Sequence, residues 1–200
     1  MPNEAEIYAD YMTGVRMRLD EVSRILAATD MPEFSQREAS FLQLRKALEL
    51  IAFASLAANK DAYAAAFPTF AEDWKAKRIL EKIEKINPEF YPMALEAPQE
   101  IAPGRKHFLR PGSGFMTKDD FVALYQIASE VLHTRNPFTR KAPIIDIKYT
   151  VPEWVARIQR LLTWHQVRLV SGTLWIVRIP DKGNVDLWPA APLDGSSVTK

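Results

Sequence analysis

The sequence predicts a mainly α-helical protein, a bundle of four to five long helices carrying a small C-terminal β-hairpin or three-stranded appendage. Three observations predict it. Apolar residues recur at helical spacing through most of residues 1–166. Ser, Thr or Asn followed three positions later by an acid stands at the head of four of these runs. After residue 166 the pattern shifts to short β-branched and aromatic runs around a Gly-containing turn. The bundle is therefore assigned to residues 1–166 and the β appendage to residues 167–200.

Taken in order, the first helix spans about Asn3 to Ala28. Asn3 with Glu6 makes a capping box, and Tyr8, Tyr11, Met12, Val15, Leu19, Val22 and Leu26 follow at helical spacing. The segment DMPEF breaks the pattern. Ser35 with Glu38 sets up a second box, from which a helix runs to Asn59. It is apolar on two sides, with Phe41, Leu44, Leu48, Ile51 and Ser55 in one row and Leu42, Ala52 and Leu56 in another. Such a helix belongs between neighbours. Arg45 and Glu49 sit four apart on it, the spacing of an intrahelical ion pair.

A short helix around Asp61–Ala66 comes next. A longer one follows from about Thr69 to Ile86, with Phe70, Trp74, Leu80, Ile83 and Ile86 inward and its KAKR run facing solvent. Residues 87–116 form a long connection with prolines at 88, 92, 98, 103 and 111. That length in a compact domain goes with function or with poor order. Thr117 with Asp120 caps a helix through Phe121, Leu124, Tyr125, Ala128, Val131 and Leu132 that ends near His133. Thr150, Pro152 and Glu153 open the last helix, PEWVARIQRLLTWH, which sets Trp154, Ile158, Leu161, Leu162 and His165 near one side. The end, TLWIVRIP-DKGN-VDLWPAAP, reads as a hairpin, with VRLV as a third strand. Trp175 and Trp188 are expected to pack it on the bundle.

Composition narrows the function classes. With 48% apolar and 26% charged residues the chain is ordinary globular material. It has no cysteine, which excludes disulfides, thiol nucleophiles and cysteine metal sites. The acidic start lacks the basic segment and apolar core of a signal peptide, and the run LELIAFASLAA is too short to span a bilayer. A cytoplasmic protein without membrane contact is the expectation. The net charge of +1 is unevenly spread: residues 1–100 carry 12 basic and 17 acidic side chains, residues 101–200 carry 14 and 8. The second half thus accommodates an anionic partner.

No P-loop, GxGxxG, GxSxG or HExxH string occurs, and the three histidines at 107, 133 and 165 have no metal-ligand spacing. No cofactor or metal is expected. Two stretches stay open. In PGRKHFLRPGSGF, Arg105, Lys106, His107 and Arg110 alternate with Phe108 and Phe115. That composition holds single-stranded nucleic acid when exposed, or forms a flap when its phenylalanines cover the bundle. In LYQIASEVLHTRNPF, His133, Arg135 and Asn136 gather at a helix C-terminus, where a cation is favoured. The bland reading is a capping histidine before an Asn-Pro turn.

The strings FLQLRKALELIAFASLAAN and LYQIASEVLHTRNPF, separated by a charged helix, resemble the HEPN superfamily of small helical bundles over roughly residues 5–140. The resemblance implies a homodimer that binds RNA, or cleaves it without metal, in a toxin or anti-phage defence setting. The active members carry Arg-x(4–6)-His, in which arginine stabilises charge on the phosphate and histidine moves the 2′-hydroxyl proton. Here Gln126, Ile127 and Ala128 precede His133 at that spacing, whereas Arg160 and His165 do have it. Arg45, His133 and Asn136 form a second candidate site if the central helix packs against the one ending in His133. The alternative is a non-catalytic interaction or regulatory module that docks a protein partner through its Trp-rich C-terminal region.

Overall fold

The computed structural model describes residues 3–69, 72, 75–134, 138 and 148–190. Helix α1 (Glu4–Ala27) and helix α2 (Glu33–Ala58) are joined by a five-residue turn, so they form a helical hairpin. Asn3 caps α1 with Glu6 as predicted. Tyr8, Met12, Val15, Leu19, Val22 and Ile25 are buried along one stripe, with Ile25 taking the place expected of Leu26, which is exposed. Gly14 lets the helices approach closely: a Cβ there would lie 3.1 Å from Leu50 Cδ1.

Helix α2 starts most of a turn before the expected Ser35–Glu38 box, at Glu33 behind Pro32. The fixed φ of Pro32, −56°, directs the chain into the helix, and the Gln36 side chain donates to the Ala28 carbonyl across the turn. The predicted core row Phe41, Leu44, Leu48, Ile51 and Ser55 is buried throughout, while Leu42 of the second row is exposed. The α2 helix packs on α1, on α4 (Ala76–Ile86) and on α5 (Lys118–Leu132), so it is the central element. Between α2 and α4 lies the short α3 (Lys60–Ala66). Phe70 and Trp74 fall outside the described residues, and α4 itself begins later than the predicted Thr69.

The boxes at Thr117–Asp120 and Thr150–Glu153 cap α5 and α6 (Val151–Leu162) as expected. Asp120 also accepts from Lys148 Nζ and from Arg157, each at 3.0 Å, which ties the head of α5 to α6. Burial works to raise its pKa, yet hydrogen bonds from Lys148, Thr117 and Arg157 outweigh it and hold the carboxyl at about 2.

The connection 87–116 is ordered. It contributes β1 (Met93–Ala94) and a hairpin of β2 (Gln99–Ala102) and β3 (Arg105–His107), turning at Gly104 with φ of 74°. Trp164 and His165, expected at the end of the last helix, instead open a strand. Thr163 closes α6, and β4 (Trp164–Arg168), β5 (Leu174–Arg178) and β6 (Asp186–Ala190) follow as an antiparallel meander. Strand β1 pairs with β4 and makes the sheet four-stranded, in the order β1-β4-β5-β6. Its inner face shares one core with the helices: Val167, Trp175 and Val177 pack in the same cluster as Tyr8, Leu48, Leu124 and Trp154. Trp175 is buried as expected, whereas Trp188 is on the outer face and 44% exposed. Asn59 and Asn87, which end α2 and α4, are buried and bonded to each other at 2.9 Å; Asn87 also donates to the Arg168 carbonyl of β4. No described helix is long and apolar enough to cross a membrane.

Candidate functional site

Packing α2 between α4 and α5 creates an open groove of about 690 Å³. Arg45 of α2 forms one wall. Lys75, Lys77, Arg78 and Glu81, at the head of α4, form another. Tyr125 and His133 of α5 and its C-cap complete it. Four cationic side chains and one carboxylate line it, with Arg45 paired to Glu49 behind the wall and Lys77 4.0 Å from Glu81 within it.

Each member has a local reason to stand there. Arg45 bonds Glu49 through Nε at 3.3 Å, the predicted ion pair, and its guanidinium lies 5.3 Å from the centre of the Tyr125 ring. Lys46 shares Glu49 at 3.0 Å, so that carboxylate steadies two cations while itself largely shielded from solvent. His133 caps α5, its N–H bonding the Ser129 carbonyl at 3.1 Å, and its side chain is exposed. The head of α4 is unusual. Acids normally occupy a first helical turn because the N–H groups there are partially positive. Here the turn holds Lys77 and Arg78, has no acid, and follows Lys75 at an N-cap without a side-chain bond. The result is three basic side chains on one edge of the groove.

Arg45 and His133 are therefore brought to one groove, as the sequence reading proposed for them; Asn136 and Arg135 lie outside the described residues. Arg160 and His165 are not brought together. Arg160 is exposed on α6 and paired with Glu96 at 2.6 Å. His165 is fully buried, because strand alternation turns it to the inner face of β4. Its Nδ1 donates to the Leu162 carbonyl and its Nε2 accepts from the Tyr8 hydroxyl, both at 2.8 Å. This pattern requires the neutral ring. Burial lowers its pKa to about 4, only partly opposed by the Leu162 carbonyl. His165 is a satisfied core group.

The basic loop also divides. Arg105, Lys106, His107 and Arg110 are exposed, but Phe108 rests on Trp164 with ring centres 5.7 Å apart and Phe115 packs against the core. None of them lines the groove. Lys75, Lys77, Arg78 and Tyr125 were missed in the sequence, because a KAKR run reads as a solvated face. The signal that could have found them is cationic residues where a helix start calls for acids. Among the described residues no three His, Asp or Glu side chains are grouped to hold a metal ion. Comparison with protein-family models, curated proteins and solved structures gave no match.

Proposed function

We propose that the chain binds RNA, with the groove between α2, α4 and α5 as its phosphate-binding site. The observation that carries the reading is the meeting of Arg45, Lys75, Lys77 and Arg78 with His133 in one groove. Cations spaced along an open groove suit a polyanion that passes through it, rather than one small enclosed anion. Tyr125, under the Arg45 guanidinium, offers a ring at the same place. The resemblance to HEPN bundles supports RNA as the polyanion and a homodimer as the assembly.

Arg45 and His133 also bring the two functions that metal-independent cleavage uses. A guanidinium neutralises charge on the phosphate, and an exposed imidazole accepts the 2′-hydroxyl proton as that oxygen attacks phosphorus; the P–O5′ bond breaks, leaving a 2′,3′-cyclic phosphate and a 5′-oxygen that takes its proton from water. The test is binding and cleavage of a mixed single-stranded RNA in EDTA by wild type, Arg45→Ala, His133→Ala and Lys77→Glu. Lys77→Glu is expected to weaken binding about tenfold and to lower the salt dependence by about one ion. His133→Ala is expected to bind but not cut. Light scattering on the same samples is expected to give twice the 22.8 kDa chain mass. Wild-type affinity in both Arg45→Ala and Lys77→Glu would remove the groove from the reading.

A further inference from the structure

Alternation in the sheet leaves an aromatic surface outside the core. His165, Val167, Trp175 and Val177 face inward. Trp164 of β4, Ile176 of β5 and Trp188, which pairs with Ile176 across β5 and β6, face outward. The two indoles are nearly parallel, 13° apart with centres at 5.9 Å, and Phe108 leans on Trp164 from the β2–β3 hairpin. Together with Lys106 they enclose an open slot of about 200 Å³.

We propose that this slot is a base-stacking subsite for single-stranded nucleic acid, with Trp188 as its platform and Lys106 as its phosphate contact. It takes RNA, rather than another polynucleotide, from the groove reading and in that respect rests on it. Flat aromatic walls fit a flat ring, and every base offers a π-face. The surrounding charge selects among flat or apolar ligands. Lys106 lines the slot from β3, and Arg178 lies over the Trp164 ring at 5.6 Å. No carboxylate lines the slot: Asp186 pairs with Arg178 at 3.7 Å, and Glu100, opposite Lys106, accepts from the Gly104 N–H at 3.2 Å. A methylated ammonium would meet Lys106 with no carboxylate in the slot. A proline-rich peptide would find the rings but make no use of the cations. A nucleotide uses both.

The experiment compares oligoadenylate with an abasic ribose-phosphate oligomer of equal length. Each is titrated against the full chain as wild type, Trp188→Ala, Trp188→Phe, Lys106→Glu and the groove variant Lys77→Glu, with circular dichroism confirming the fold. Trp188→Ala is expected to lower oligoadenylate affinity about tenfold and to leave the abasic oligomer unchanged. Trp188→Phe is expected to retain most of the affinity, and Lys106→Glu to weaken both ligands. Unchanged oligoadenylate binding by Trp188→Ala, with binding lost in Lys77→Glu, overturns the subsite and leaves the groove. The reverse pattern supports the subsite and overturns the groove. A wild type that takes up a proline-rich peptide and neither oligomer overturns both.

Discussion

His165 and His133 show how far environment separates two identical side chains. His133 stands in solvent at a helix end, whereas His165 is locked neutral between Tyr8 and Leu162. Because the folded pKa of His165 is about 4 against 6.5 when exposed, the unfolded chain binds the extra proton first as pH falls. The contribution is therefore complete above pH 6.5, declines from there to pH 4, and amounts to about 3 kcal/mol. Asp120, held at about 2 against 3.8, adds a second loss between those values. Urea titrations at pH 7 and pH 4.5 check this: wild type is expected to lose most of the His165 contribution, and His165→Gln to show a much flatter dependence over that interval. Part of the site was legible at this scale. Arg45 on a central helix and His133 at a helix end are features of sequence. The partition of His165 was not legible, since Leu161 and His165 are four apart and fit a helix as well as a strand. Only the change of period at Thr163 decides, and no Gly or Pro marks it.

At the scale of elements, capping chemistry was the best guide. Three of the four predicted boxes close helices α1, α5 and α6, because a side-chain acceptor three residues before an acid satisfies two orphan N–H groups at once. The fourth failed where Pro32 supplied a stronger start. The head of α4 could not be read as a groove wall, since its meaning depends on how α2 packs. Under the proposed function, that helix end sets stability against binding. Lys75→Asp gives α4 a capping acceptor and an acid at its positive end, an expected gain of about 1 kcal/mol. The same change removes a groove cation. Thermal melts are expected to rise while RNA affinity falls; a variant that improves both, or neither, would break the argument.

Across the whole molecule, the sheet and the helices share one core. Val167, Trp175 and Val177 lie in the helical core, and the Asn59–Asn87 pair fastens two helix ends to β4. Near-ultraviolet signals from the tryptophans and far-ultraviolet signals from the helices are expected to melt together, and Asn87→Ala to lower both by the same amount. The mainly helical class was legible from periodicity. The fourth strand was not, because β1 is two residues long and gains its meaning only beside β4. The Tyr8–His165 bond joins positions 157 apart, which has a consequence for the chain as it is made. At about 5–20 residues per second, the ribosome takes roughly 8–30 s to travel from one partner to the other. The first helical hairpin is fully made only at Ala58, and from there until His165 is added its sheet-facing side has no β4 to cover it. Tyr8, made before most of its neighbours, is thus among the last residues to meet its hydrogen-bond partner.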